Sequence, residues 1–269
     1  MIRRPAVAGG FYDASPDGLK REVSGLIVEG GEKDKEKVVG IISPHAGFSY
    51  SGPVAGAVYS RIQMPMTFVI IGPNHTGYGE RASVMTSGEW EMPNGNVPIN
   101  LELAKDILAR SRFMKEDENA HLREHSIEVQ IPFIQYFTDD FDIVPIALMS
   151  IDYKICEDIG KAISEAVKES KDSVVIVAST DMTHYEPQTT AEDKDKMAIE
   201  YLLKLDPMGL YNIVRDKKIT MCGLCPTVAM LIASKELGAK EGLLVRYMTS
   251  GEVSGDYDQV VGYAGVLIK

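Results

Sequence analysis

The chain has 269 residues, 45% apolar and 25% charged, a length and mixture that fit one large core or two small ones. Its formal net charge of −11 argues against non-specific binding to nucleic acid or to an anionic membrane face, though not against a local basic pocket. No apolar stretch reaches the roughly 18 residues of a membrane helix, and the start Met1-Ile2-Arg3-Arg4-Pro5 leads into no long apolar segment, so no secretion signal is read there.

In chain order, the charged stretch 30–37 reads as a surface connection into a first apolar run, Val38-Val39-Gly40-Ile41-Ile42, which ends in Ser43-Pro44-His45. A helix is predicted over 51–62. A second run, Thr67-Phe68-Val69-Ile70-Ile71, ends in Gly72-Pro73-Asn74-His75. Residues 82–99, with Gly88, Pro93, Asn94-Gly95 and Pro98, read as short strands and turns carrying the sole tryptophan, Trp90. Helices follow over 101–110, with Asn100 as N-cap, and over 126–137, where Ile127, Ile131, Ile134 and Phe137 recur at helical spacing. A strand over 142–148 and a helix over 154–169 lead to a third apolar run, 173–178, which continues to Asp181 and His184. Helices over 194–205, 207–215 and 226–237 and strands over 243–249 and 259–268 complete the chain. The last helix opens at Pro226 and stops before Gly238, as helix-end chemistry prefers. Short β-branched runs bounded by Gly, Pro and Ser are buried strands. Their alternation with helices predicts an α/β layer fold in one domain spanning 1–269.

Ligands of open parallel sheets sit beyond the carboxyl ends of the strands. Three of the five histidines, His45, His75 and His184, follow such ends. Each alone would be an ordinary loop histidine. The repeated placement, with proline just before His45 and shortly before His75, points instead to imidazoles converging on one ion. Asp181 is spaced to orient an imidazole or a metal-bound water, and His184 suits proton transfer near neutral pH. The same residues would also serve as an Asp/Thr helix cap with His184 exposed. Glu124-His125 stands where the 126–137 helix begins, and would serve either the helix end or a site beside the strands. Cys222-Gly223-Leu224-Cys225 has C-x-x-C spacing without a second such pair, which excludes a four-thiolate zinc site. It leaves a redox pair at a helix N-terminus or one thiolate joining His45 and His75. Three cysteines (Cys156 is the other) and no secretion signal fit a reducing cytoplasm. His121 has no comparable context and is expected at the surface.

At these residues the chain resembles the Memo family. The matching blocks are Arg4-Pro5-Ala6-Val7-Ala8-Gly9, Pro44-His45-Ala46-Gly47, Gly72-Pro73-Asn74-His75, Glu124-His125-Ser126-Ile127-Glu128, Ser179-Thr180-Asp181-Met182-Thr183-His184 and Cys222-Gly223. The resemblance implies an α/β/α layered sandwich similar to class III extradiol ring-cleaving dioxygenases, which hold non-haem ferrous iron. It implies a mononuclear site of His45, His75 and Cys222, with His184 as acid–base residue and Asp181 beside it. His125, Glu124, Tyr50 and Asn74 are expected to line the substrate pocket, and Cys225 is not a ligand on this mapping. The thiolate replaces the glutamate of the ring-cleaving enzymes. Being softer, it favours copper or iron, with zinc possible, and departs from catechol cleavage. The family record includes phosphotyrosine-peptide binding and metal-dependent redox activity in eukaryotic members. Prokaryotic members tend to accompany an AMMECR1-type protein and a radical S-adenosylmethionine enzyme, which makes these candidate partners. The expected function is a metal-dependent oxidoreductase of the cytoplasm. The alternatives are a phosphopeptide- or anion-binding module without turnover and a metal-assisted hydrolase. No G-x-S-x-G elbow suggests a serine hydrolase.

Overall fold

The computed structural model describes residues 1–28, 30–31 and 35–269. The chain runs β1 (Ile2–Arg3), α1 (Pro16–Leu26), β2 (Gly40–Ser43), α2 (Phe48–Tyr59), β3 (Thr67–Pro73), β4 (Ala82–Val84), β5 (Glu89–Trp90), β6 (Val97–Pro98) and α3 (Leu101–Arg110). It continues with β7 (Lys115–Glu116), α4 (Ile131–Phe137), β8 (Asp142–Leu148), α5 (Tyr153–Glu169), β9 (Val174–Ser179), β10 (His184–Glu186), α6 (Gln188–Leu203), α7 (Pro207–Asp216), α8 (Leu224–Glu236), β11 (Gly242–Thr249), α9 (Gly251–Ser254) and β12 (Val260–Ile268).

The main sheet has the order β10-β12-β2-β9-β3-β8-β4-β7, with β11 paired to β12. At its centre β2, β9, β3 and β8 run parallel. They are buried along almost their whole length, which is why their sequences read as continuous apolar runs rather than alternating ones. β12 closes one flank antiparallel to β2, and β4 closes the other antiparallel to β8. α8 lies on β3 and β9 and packs against α5, which meets α3, while α2 packs on β2 and β12 and contacts α1 and α4. The architecture is an α/β/α sandwich. Register places Ser43 opposite Ser179 and Pro73 opposite Leu148, so the four parallel strands end nearly level. The segments carrying His45, His75 and Asp181 leave the same edge.

Local chemistry accounts for most element ends. Asn100 caps α3, its Oδ1 accepting from the Leu103 N–H at 3.0 Å. α8 ends with Gly238 at φ +94°, and the N–H groups of Gly238 and Ala239 reach the Lys235 and Ser234 carbonyls. Two expectations are corrected. The helix expected over 126–137 begins as a 3-10 turn at Glu128–Gln130 and becomes α-helical only at Ile131, because Pro132 lacks an N–H and suits only a first helical turn. The helix expected over 194–205 starts at Gln188, directly after Pro187. α1 was not anticipated, although Ser15-Pro16 is an N-cap and N1 signature and Ser15 Oγ accepts from the Gly18 N–H. Within 82–99, β4 joins the main sheet, whereas β5 pairs with both β1 and β6 in a separate three-stranded sheet. Of the charged connection expected over 30–37, residues 32–34 lie outside the described residues.

Candidate metal centre

Beyond the ends of β2 and β3, one donor nitrogen each from His45, His75 and His125 lie within 4.8 Å of one another. Each of the two strand-end imidazoles is locked through Nδ1. Ser179 donates its only hydroxyl proton to the Ser126 carbonyl (2.6 Å), so toward His45 Nδ1, 2.9 Å away, its Oγ accepts. His45 therefore carries its proton on Nδ1 and presents a bare Nε2. Burial, and then the neighbouring His125, His75 and His184, hold His45 well below the usual histidine range, so it stays neutral. His75 Nδ1 lies 2.9 Å from Glu124 Oε1, and its backbone N–H donates to Oε2 at 2.5 Å. Burial acts to raise the Glu124 pKa. The hydrogen bond and charge of His75, the charge of His125 and the Ser126 N–H outweigh it, and the carboxyl falls to about 2. Ionised Glu124 thus accepts from His75 and leaves its Nε2 free. Carboxylate-backed imidazoles of this kind are the usual metal-ligating histidines.

Cys222 completes one side. Its Sγ lies 3.2 Å from His45 Nε2, and the Asp181 N–H donates to it at 3.3 Å. Burial, and then Asp181, push this thiol pKa up, so without an ion it keeps its proton and donates it to His45. An imidazole nitrogen and a sulfur this close could serve as donors to one ion. The donor set of imidazoles and a sulfur suits a first-row transition ion and not magnesium or calcium. The position of Cys222 depends on Gly223, whose N–H donates to Thr180 Oγ1 at 2.9 Å. A Cβ on Gly223 would lie 2.5 Å from the Ser179 carbonyl oxygen and 2.4 Å from Thr180 Cβ.

Asp181 and His184 stand beside this cluster. Asp181 Oδ1 accepts the His45 N–H at 2.8 Å, and burial raises its pKa to about 6 against the lowering effects of that bond and of His184 and His75. His184 Nδ1 faces two carbonyls, Met182 at 2.8 Å and Thr220 at 3.0 Å. Only a protonated Nδ1 satisfies them, which leaves Nε2 as the ring nitrogen not tied to the backbone. His125 stacks on His75 at 4.8 Å between ring centroids and meets Phe11 edge-on.

Of the residues read from the sequence, His45, His75 and His125 come together, and Cys222 and Asp181 each contact His45. Glu124 contacts the same cluster as the residue that orients His75. Asn74 lines the adjoining cavity, but its Oδ1 accepts from the Thr76 and Gly77 N–H groups and its Nδ2 donates to the Tyr78 carbonyl, so its amide closes its own turn. Tyr50 is 40% exposed on α2. Cys225 exchanges hydrogen bonds with the Ile151 backbone rather than with a histidine. The expectation for His121 is overturned. It is fully buried, edge-on to Trp90, with its carbonyl held by Arg3 Nε at 3.0 Å. Sequence reasoning missed Ser179, Gln130 and Arg3. Gln130 Nε2 donates to Ser179 Oγ and to the Pro44 carbonyl, both at 2.9 Å. Arg3 is itself fully buried, ion-paired to Glu128, and donates to the carbonyls of His121 and Glu124. It thereby fixes the loop that presents Glu124 and His125.

The sequence family described as Memo-like protein matches residues 3–267. A MEMO1 family protein of Methanothermobacter thermautotrophicus is 45% identical over 276 residues, covering 98% of this chain and 99% of its own. One from Methanococcoides burtonii is 44% identical over 269 residues, covering 100% of both. Among solved structures, an uncharacterized protein from Escherichia coli K12 matches with a TM-score of 0.58 at 13% identity, over 85% of this chain and 99% of that one, a likeness of fold. With a match from residue 3 to residue 267 and relatives of this identity along the full length, the chain belongs to the Memo family.

Proposed function

We propose that the cleft is the mononuclear metal centre of an oxidoreductase. The observation that carries this reading is the set of three imidazole donors within 4.8 Å of one another, two of them with Nδ1 tied back so that Nε2 is bare. His45 and His75 are ligands in every version of the site. The third position falls to Cys222, which matches the family pattern, or to His125, which is nearer in kind to the other two. Iron or copper suits this donor set for redox chemistry, and zinc would suit hydrolysis. A bound redox ion would supply the electron-accepting and polarising chemistry for an oxygen-bearing substrate. The chain's own groups do the rest. His184 accepts a proton at Nε2, its ring held by the Met182 and Thr220 carbonyls. Asp181 holds the His45 backbone in place. If sulfur is the third donor, Cys222 would hold the ion as its thiolate.

The test is metal analysis of protein purified without oxygen, wild type against His45→Ala, Cys222→Ser and His125→Ala. The reading expects His45→Ala to empty the site and one of the other two substitutions, not both, to reduce occupancy strongly. Full metal content in all three variants would refute it. Phosphopeptide binding that is undiminished by chelator would favour the metal-free binding module instead. We place this activity in the cytoplasm, alongside AMMECR1-type and radical S-adenosylmethionine proteins as partners to be sought by co-purification.

A further inference from the structure

A cavity of about 540 Å³ opens beside the centre, with His75 and Cys222 in its wall. That volume suits a small organic molecule. Its apolar lining includes Leu148, Val214, Ile219 and Leu224. Arg215 and Lys218 also line it, and no Asp or Glu lines it among the described residues. This composition runs against the whole chain, which carries 39 acidic and 28 basic residues.

α7 ends as α8 does, with the N–H of Lys218 on the Arg215 carbonyl and the N–H of Ile219 on the Val214 carbonyl. The left-handed residue of this motif is normally glycine, and α8 uses Gly238 there. α7 instead places Lys218 at φ +51°, as α6 places Leu205 at φ +50°. The Lys218 backbone carbonyl is 3.5 Å from Lys194 Nζ, and Arg215 Nη1 is 3.2 Å from the Tyr211 hydroxyl. Neither side chain has an ion pair to a carboxylate among the described residues. Basic groups do favour a helix carboxyl end, but that role needs no cavity with apolar lining beside the histidines.

We infer that this cavity takes an amphipathic organic acid, with its reacting end at His75 and Cys222, an apolar body along the α7–α8 wall, and a second, anionic end held by Arg215 and Lys218. The identity of the reacting end rests on the metal-centre reading above, whereas the anionic end does not.

The experiment is calorimetric titration of metal-loaded protein with glutarate, adipate, suberate and their monoamides, in wild type, Arg215→Gln and Lys218→Gly. At least one diacid is expected to bind wild type about tenfold more tightly than its monoamide. Each substitution should remove most of that advantage while metal content stays constant. Glycine is at ease at a positive φ, so Lys218→Gly should not lower the thermal midpoint, and a lost preference there is not misfolding. Equal binding of diacid and monoamide, no diacid binding at all, or a preference that survives both substitutions would overturn the proposal. If the protein holds no metal yet the preference disappears in Arg215→Gln, the anionic subsite stands and the metal-centre reading fails.

Discussion

Replacing Arg3 with methionine is expected to destabilise the fold by about 3–5 kcal/mol, the cost of breaking a buried ion pair from one side. Arg3 and Glu128 are both fully buried, so no water replaces the lost guanidinium. The Glu128 carboxylate would keep the Ala6 N–H at 2.7 Å, the Val7 N–H at 3.2 Å and the Tyr12 hydroxyl, but no positive partner. Two carbonyls, of His121 and Glu124, would lose their Arg3 donor, and each buried orphan costs about 1–3 kcal/mol. The guanidinium also lies 4.2 Å from the Trp90 ring centroid. Trp90 is the sole tryptophan, so urea unfolding followed by its fluorescence reports on this spot. The double variant Arg3→Met, Glu128→Met should recover much of the loss, since an apolar pair leaves no stranded charge. A single-variant cost below about 1 kcal/mol, the value of an exposed pair, would refute the account of the network.

Three further outcomes are expected. His121 is fully buried, and burial, and then the Arg3 charge, lower its pKa to about 3. The unfolded chain takes up this proton near pH 6.5 and the folded chain does not, so stability is complete above that pH and falls as the pH drops. The loss attributable to this group by pH 4.5 is about 2.7 kcal/mol. Neither ring nitrogen has a partner, so His121→Phe should flatten the pH dependence relative to wild type, and an unchanged difference between urea titrations at the two pH values would count against this. Glu124→Gln should weaken metal binding about 10–100-fold in competition with a chelator, because His75 loses the carboxylate that orients it. Asn100→Ala should cost about 1 kcal/mol by removing the α3 cap, with metal content unchanged as the control.

Much of the scaffold is legible because its strands are buried on both faces, and such strands need unbroken runs like Val69-Ile70-Ile71. The strand-end histidines follow from the same runs. Other features depend on contacts distant in sequence. His121 looks like a surface residue until Arg3, 118 positions away, is seen bonded to its carbonyl. The approach of His125 to His45 and His75 depends on an irregular turn before Ile131. Local periodicity reads that turn as helix, because Ile127 and Ile131 stand four residues apart and both are buried. Ser179 ends an apolar strand, and nothing nearby in sequence signals that its hydroxyl sets the His45 tautomer.

At position 223 the end of β9 and the start of α8 press together so closely that even one methyl group has no room. Alanine there would wedge these two segments apart and carry the sulfur of Cys222 off the His45 ring. The reach between thiol and imidazole is thus governed by a residue with no functional group of its own, and a survey of determinants that considers only reactive side chains would pass over it.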